Sequence, residues 1–271
     1  MVNTDSPTPT TQPSGFAAVH DGRVLRVTLT KPKRKNAIDY DTMVALGDTF
    51  LAAAEDKTVR VVVLTGEGGD FCTGADLAAG AAEGSRGITP DMVMDAANRL
   101  VRAIADLPVP VIARIQGATA GVGVGIALAA DLVYAQADSY LLLAFVNIGL
   151  MPDGGAAALV AAAAGRPLAA RMALLGERLP ATVARDEGLF ADVLATPEDL
   201  DAAVEAAAAK ISHGPRRALE LTKKALNRAT LTALDTALAE EKAGQIELLQ
   251  SPDFFEGAAA MLGKRKATFA D

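Results

Sequence analysis

Residues 111–157 read VIARIQGATAGVGVGIALAADLVYAQADSYLLLAFVNIGLMPDGGAA, and the fold of the chain is organised around them. The stretch opens with the apolar run 111–115, preceded by two prolines, which predicts a buried strand. Helical spacing follows at 126–130, after four glycines that fall within nine residues: Gly117, Gly121, Gly123 and Gly125. Glycines between a strand and a helix let the backbone approach a bound group closely. They also leave N–H groups free at the positive end of the helix dipole, where a partial negative charge is stabilised.

One carboxylate, Asp153, lies in a second glycine-rich turn near the end of this stretch. Residues 151–155 read MPDGG within an otherwise apolar segment. A donor-rich turn followed by a lone acid suggests an oxyanion site that faces a proton-transfer group. The alternative is that the glycines serve close packing and that an aspartate between proline and glycine only forms a turn. The stretch alone leaves both interpretations open.

The glycine pattern does not match a nucleotide-binding motif. Gly121, Gly123 and Gly125 give GxGxG, but Ile126 stands where the dinucleotide motif GxGxxG has its last glycine. The sequence also lacks the GK[ST] signature of a P-loop. A nucleotide-binding fold is therefore disfavoured.

Composition limits the classes of function. The chain has 271 residues, enough for one large domain, with 51% apolar residues and a net charge of −7. The negative charge argues against nucleic acid as a partner, and no apolar run reaches the roughly 18 residues of a membrane span. One cysteine, Cys72, and two separate histidines, His20 and His213, form no metal-ligand cluster, so no metal site is expected. The single cysteine, and polar residues 1–14 that resemble a disordered tail rather than a signal segment, predict a cytoplasmic protein.

Three strands are predicted ahead of the central stretch. Residues 16–20 and 24–30 flank Asp21-Gly22, which is a hairpin signal, and the β-branched run 59–65 predicts a strand buried on both faces. Between them, residues 31–37 read KPKRKNA. This basic loop is either a solvated turn or a site that holds phosphate.

The chain divides near residue 197, because helical patterns alone follow it. Four helices are predicted there, at 198–211, 215–229, 232–250 and 252–263. We therefore predict an α/β core at 15–196 and a helical C-terminal region at 197–271.

Four motifs follow one another along the chain: GDFCTGADL (69–77), QGATAGVGVG (116–125), IGLMPDGG (148–155) and GKRKATF (263–269). Taken in this order, they resemble those of the crotonase (enoyl-CoA hydratase/isomerase) superfamily. The resemblance covers about residues 15–269. It implies an α/β fold, a crotonase-like spiral of ββα units with a helical C-terminal oligomerisation region that forms trimers or dimers of trimers. It also implies an acyl-CoA thioester as substrate, with coenzyme A as part of that substrate and no separate cofactor.

The resemblance also implies roles for individual residues. Two backbone N–H groups, those of Ala75 and Val122, would stabilise a thioester enolate, and the family usually has glycine at the second position. Asp76 would hold its loop. Lys264 matches a tail lysine that reaches the phosphates of coenzyme A, assisted by the basic loop. The full set expected to bind substrate or coenzyme A is Arg34, Lys35, Asp76, Leu77, Phe145, Met151, Met261 and Lys264.

The departures from the family pattern indicate the chemistry. Hydratases hold a water molecule between two glutamates, and those positions are Gly125 and Phe145 here, so we expect Gly125 to leave a gap. Isomerase branches keep an acid at the position of Asp153, and residues 144–155 look most like the phenylacetate-pathway isomerase branch. Apolar neighbours are expected to raise the pKa of Asp153 by desolvation. The dehalogenase branch needs a histidine base, and neither histidine lies in a matching loop.

Three hypotheses of function remain open. The first is an enoyl-CoA isomerase with Asp153 as its catalytic acid and base, and with little hydratase activity on crotonyl-CoA. The second is an enoyl-CoA hydratase of fatty-acid metabolism with non-standard catalytic groups. The third is a non-catalytic acyl-CoA binder or an RNA-binding relative, although the predicted helix 40–54 lacks the lysines that RNA would need. Residues 78–98 are expected to line the acyl pocket without identifying the acyl group.

Overall fold

The computed structural model describes residues 15–270 of the chain. The tail predicted at 1–14 lies outside these residues. In the described range the strands are β1 Phe16–Asp21, β2 Val24–Leu29, β3 Val61–Gly66, β4 Val111–Ile115, β5 Ala118–Ala120, β6 Leu132–Gln136, β7 Tyr140–Leu142, β8 Arg178–Pro180 and β9 Asp192–Leu194. The helices are α1 Tyr40–Glu55, α2 Gly80–Ser85, α3 Pro90–Ala105, α4 Val122–Leu128, α5 Ala156–Ala164, α6 Arg166–Leu175, α7 Ala181–Asp186, α8 Pro197–Ser212, α9 Arg216–Thr230, α10 Leu234–Leu248 and α11 Pro252–Leu262. A short 3₁₀ helix spans Ala144–Ile148.

Six strands form the main sheet in the order β1-β2-β3-β4-β6-β9. The predicted hairpin is confirmed, since β1 and β2 pair antiparallel, and the remaining neighbours are parallel. The central strand β3 is almost entirely buried, as its β-branched sequence predicts. A second, three-stranded sheet has the order β5-β7-β8. The α/β architecture expected from the sequence is therefore present.

Helices α1, α3 and α8 each begin with a side-chain cap. Asp39, Thr89 and Thr196 each accept a backbone N–H from the first turn of the helix that follows. The four C-terminal helices predicted after residue 197 are confirmed as α8 to α11. In the described part of the chain, no helix combines the length and the hydropathy needed to cross a membrane.

Helix α8 packs against the main sheet rather than standing apart from it. Its buried Leu200 and Val204 join Val61, Val63 and Ile112 in one apolar cluster. The first helix of the C-terminal region thus covers one face of the α/β core. The larger cluster lies on the other face, and it includes residues from α1, α3 and α4.

Candidate functional site

Two glycine-rich loops are paired next to the main sheet. The first follows β3 and contains Cys72 and Ala75, and the second follows β4 and includes the short strand β5 with Thr119. Cys72 and Thr119 form an isolated parallel bridge, and the Ala120 N–H donates to the Cys72 carbonyl at 2.9 Å. These bonds fix the position of one loop relative to the other.

The backbone N–H of Ala75 points away from its bridge partner, Ile38. The Ile38 N–H donates to the Gly74 carbonyl, and the Asp76 N–H donates to the Ile38 carbonyl, both at 2.9 Å. In a parallel bridge these bonds use the residues that flank Ala75, so its own N–H faces the opposite side. The residue as a whole is exposed.

The N–H of Val122 lies beside the same loop. Val122 is the first residue of α4, so its N–H has no acceptor within the helix. A Cβ atom added to Gly74 would lie 3.5 Å from the Val122 nitrogen and 3.0 Å from the Ala120 carbonyl oxygen. Gly74 has a φ of 91°, a value that favours glycine. The absence of a side chain at Gly74 therefore lets the two backbone segments come together.

The turn that carries Asp153 packs on the start of α4. A Cβ atom added to Gly154 would lie 2.6 Å from Cγ2 of Val122, so the valine side chain contacts this turn. Gly154 and Gly155 have φ values of 59° and 70°, which let the chain reverse directly after the aspartate. Asp153 is thereby held next to the helix end that carries the Val122 N–H.

The prediction that Gly125 leaves a gap is wrong. A Cβ atom added to Gly125 would overlap the carbonyl oxygen of Gly154. The backbone of the Asp153 turn occupies the space that a side chain at this position would need. Phe145 is 7% exposed, and its ring lies 3.9 Å from a Cβ atom added to Gly121, so it lines the neighbouring position with an apolar surface.

The Asp153 carboxyl is buried, and only one of its two oxygen atoms has a hydrogen-bond partner in the described residues. Its Oδ2 atom accepts a hydrogen bond of 2.8 Å from Nε2 of Gln245. Its Oδ1 atom is buried and has no hydrogen-bond partner among residues 15–270. Burial raises the pKa of Asp153 to about 6, and the Gln245 hydrogen bond opposes that rise. The predicted direction of this shift is confirmed.

A second buried carboxyl, Glu241, was not predicted from the sequence. Its Oε2 atom accepts the Gly155 N–H at 2.7 Å, and the residue is 6% exposed. Burial raises the pKa of Glu241 to about 8, with a further rise from the charge of Asp153 and an opposing effect of the Gly155 N–H. Glu241 and Gln245 lie one turn apart on α10, on the side chain stripe that begins with Leu234 and Leu238. In the sequence, the indication that these two residues are buried is that they continue an apolar helical stripe.

Other acids near this region are engaged elsewhere. Glu83 Oε1 accepts the Tyr40 N–H at 2.8 Å. Asp91 and Asp95 both form ion pairs with Lys242 on the outer side of α10, at 3.0 and 2.6 Å. In the described part of the chain, no three His, Cys, Asp or Glu side chains come together in a way that could hold a metal ion.

Six of the eight residues expected to bind substrate or coenzyme A fall into two groups. Arg34 forms an ion pair with Asp76, which also accepts the Ala78 N–H at 3.1 Å, so this pair supports the loop beside Ala75. Lys35 lies 3.5 Å from Asp70 in the same region, and Leu77 is half-buried there.

The second group lies on α11 and directly after it. Met261 and Lys264 are both exposed. Helix α11 packs through Gly257 on Ile148 of the 3₁₀ helix. Met151 belongs to neither group, since its sulfur packs against Gly244 of α10. The structure therefore links Ala75, Val122, Phe145 and Asp153 through neighbouring backbone and side-chain contacts, and it places Met261 and Lys264 in exposed positions at the C-terminal end of α11 and directly after it.

Comparisons with known proteins give consistent results. The sequence pattern of the enoyl-CoA hydratase/isomerase family matches residues 20–271. The chain is 35% identical to the 1,2-epoxyphenylacetyl-CoA isomerase of Escherichia coli strain K12, covering 91% of this chain and 94% of that protein. It is 32% identical to the 2,3-dehydroadipyl-CoA hydratase of the same strain, covering 91% and 95%. A crystal structure of an enoyl-CoA hydratase from Mycobacterium avium subsp. paratuberculosis K-10 superposes with a TM-score of 0.88, at 44% identity, covering 95% of this chain and 99% of that one.

Proposed function

The chain belongs to the enoyl-CoA hydratase/isomerase family, and on that premise we propose that it is an isomerase that moves the double bond of an enoyl-CoA thioester. The observation that carries the proposal is the environment of Asp153. Its Oδ1 atom is buried without a partner in the described residues, and its turn contacts the first residue of α4. A buried acid with an unused oxygen beside free backbone N–H groups is suited to taking a proton from carbon.

The proposed reaction moves one proton within the substrate. The ionised Asp153 removes an α- or γ-proton, so that a C–H bond breaks, an O–H bond forms on the carboxyl and the electron pair moves into a dienolate. The N–H groups of Ala75 and Val122 donate to the enolate oxygen, and in comparable sites each such donor contributes about 2.7–4 kcal/mol. The carboxyl then returns the proton to the carbon at the other end of the allylic system. A pKa of about 6 leaves Asp153 ionised at neutral pH while keeping it a usable acid.

Hydration is the second candidate, and Glu241 is the observation that favours it. Adding water to a double bond needs a base for the water and an acid for the α-carbon. Gly125 and Phe145 supply neither, but Glu241 places a second carboxyl behind the Asp153 turn. Since Glu241 already accepts the Gly155 N–H, it supports the turn from the α10 side, and we favour isomerisation.

A panel of 2-enoyl- and 3-enoyl-CoA thioesters, aliphatic and ring-containing, tests this proposal by mass spectrometry and NMR of the products. Isomerisation leaves the mass unchanged and moves the vinyl signals, whereas hydration adds the mass of one water. We expect isomerised products from at least one member and negligible hydration of crotonyl-CoA. Turnover of crotonyl-CoA to the hydrated product at about 1–10³ per second, the ordinary range for enzymes, would overturn the isomerase assignment.

A further inference from the structure

We propose that Gln245 and Glu241 on α10 are positioning residues that hold the Asp153 carboxyl so that Oδ1 is the oxygen that exchanges the proton. This inference rests on the proposed isomerase function and adds to it the residues that orient its acid. Neither residue belongs to the motifs that carry the family resemblance. Both face the Asp153 turn from a helix in the C-terminal part of the chain.

Gln245 distinguishes the two oxygens of the carboxyl. Its Nε2 donates to Oδ2, while Oδ1 stays buried and unpaired among the described residues. A carboxyl with one oxygen fixed by an amide can rotate only by breaking that bond, so the free oxygen keeps one direction. The Gln245 side chain is 1% exposed, and its own Oε1 is buried without a partner in residues 15–270. A buried amide with an unused oxygen has little purpose as packing, because an apolar side chain would fill the same volume without an unpaired polar atom.

Glu241 holds the backbone of the same turn. Gly154 and Gly155 follow Asp153, and two consecutive glycines give the turn more conformational freedom than any other pair of residues. The hydrogen bond from the Gly155 N–H to Glu241 Oε2 ties this flexible segment to α10. A leucine at this position would extend the apolar stripe of Leu234 and Leu238, but it would leave the Gly155 N–H without this acceptor.

The other charged groups on the elements packed around Asp153 and Glu241 are paired elsewhere or exposed. The charge that acts most directly on each of the two carboxyls is therefore that of the other. Helices α4 and α5 and the 3₁₀ helix carry no charged residue. On α10, Lys242 turns outward to Asp91 and Asp95 of α3, Asp235 pairs with Arg102 of α3, and Glu240 and Glu247 are exposed. Arg99 of α3 pairs with Asp48.

The two carboxyls therefore ionise at different pH. The pKa of Asp153 is raised to about 6 and that of Glu241 to about 8, so between these values Asp153 is charged and Glu241 is protonated. Above the upper value two negative charges face each other across the turn. The pair predicts a rate that rises as Asp153 ionises and falls as Glu241 ionises.

The test compares the pH profile of kcat in five proteins: wild type, Gln245→Leu, Glu241→Gln, Glu241→Leu and the exposed neighbour Glu240→Gln as control. Removal of the Gln245 donor takes away the interaction that favours ionised Asp153, so Gln245→Leu is expected to move the acid limb to higher pH. It is also expected to lower kcat by about 10- to 10²-fold, with a much smaller change in KM, because the acid is misplaced and binding is not. Glu241→Gln keeps an oxygen for the Gly155 N–H, so it is expected to lose the alkaline limb and to retain more activity at pH 7 than Glu241→Leu. Unchanged acid and alkaline limbs in Gln245→Leu and Glu241→Gln would overturn the inference.

A titration that does not depend on activity separates this inference from the proposed function. In protein labelled with carboxyl-¹³C aspartate, the Asp153 signal is assigned by its absence in Asp153→Asn. We expect its midpoint to move to higher pH in Gln245→Leu and to stay in place in Glu240→Gln. If no enoyl-CoA is isomerised but this shift occurs, the isomerase function fails and the positioning of Asp153 stands. If the midpoint does not move, the positioning role is wrong whatever the enzyme catalyses.

Discussion

A single hydrogen bond of 2.8 Å joins Gln245 to Asp153, although 92 positions separate the two residues in the chain. A second bond, between Glu241 and the Gly155 N–H, spans 86 positions. Both bonds form only when α10 is docked on the α/β part of the molecule. Helix α10 is therefore part of the candidate site, whereas α8 covers one face of the core.

Replacing the acid tests its role directly. Asp153→Asn keeps the shape of the side chain but cannot take a proton, so we expect a loss of at least 10²-fold in the isomerisation rate. Binding of an acyl-CoA, measured by calorimetry, is expected to stay within a few-fold of wild type. Retention of more than about a tenth of the activity would show that the base lies elsewhere.

The Glu241 carboxyl predicts a dependence of stability on pH. Its folded-state pKa of about 8 lies above the ordinary value of 4.5, so its contribution to stability is full below that ordinary value and is lost as pH rises towards 8. Glu241→Gln removes this titration, and we expect its Tm to exceed that of wild type by a margin that grows between these pH values and then levels off. One unit of pKa corresponds to about 1.4 kcal/mol, so a shift of several units is measurable. Thermal scans of both proteins and of Glu240→Gln across this range check the sign, and parallel curves for all three would contradict it.

The close approach at Gly125 predicts a sensitive position. In Gly125→Ala the new methyl group meets the Gly154 carbonyl, and we expect overpacking to cost about 1–3 kcal/mol in the free energy of unfolding. The matched control is Gly84→Ala on α2, where an added Cβ meets nothing within 4 Å, and there we expect a gain of up to about 1 kcal/mol from helix propensity. Urea unfolding measures both.

The same contact makes a glutamate at this position unsuitable as an engineered catalytic acid. The double variant Gly125→Glu with Phe145→Glu would imitate the acid pair of a hydratase, but we expect it to unfold or to gain no hydration of crotonyl-CoA. Hydration by a folded double variant would contradict the packing described for Gly125.

Replacing Lys264 tests whether the C-terminal tail binds coenzyme A, as the family resemblance implies. Lys264→Glu replaces an exposed cation with an anion, and we expect weaker binding of coenzyme A, with the larger loss at low salt because screening is weaker there. Lys266→Glu, also exposed and two residues further on, changes the net charge by the same amount and serves as control. Equal affinities for the two variants at every salt concentration would remove Lys264 from the binding surface.

Short stretches of sequence were enough to predict most of the fold and about half of the candidate site. A few neighbouring residues are enough to recognise each helix cap, at Asp39, Thr89 and Thr196. The same holds for the loop motifs around Ala75, Val122 and Asp153. The four strands β5 to β8 were not predicted, and three of them, β5, β7 and β8, have only three residues each, which is too few to show a clear alternation.

The rest of the site depends on tertiary contacts that the sequence does not display. The stripe of Leu234, Leu238, Glu241 and Gln245 on α10 could not show which element Glu241 would face. A polar residue at that spacing fits a solvated helix face equally well. At Gly125 the sequence showed a missing side chain, but only the structure shows the Gly154 carbonyl beside it. The direction of the pKa shift of Asp153 was predictable, because its neighbours in the sequence are apolar.

The bridge between Ile38 and Ala75 has a consequence for how reactions can change on this scaffold. Both donors of the proposed oxyanion hole are main-chain atoms, so among single substitutions only a change to proline, which lacks an N–H, deletes one of them, and valine stands at the second position without removing the N–H. The groups that move protons are side chains, which one codon can replace. In the proposed function, the part of the site that holds charge therefore tolerates most substitutions, whereas the part that selects the reaction changes with a single side chain.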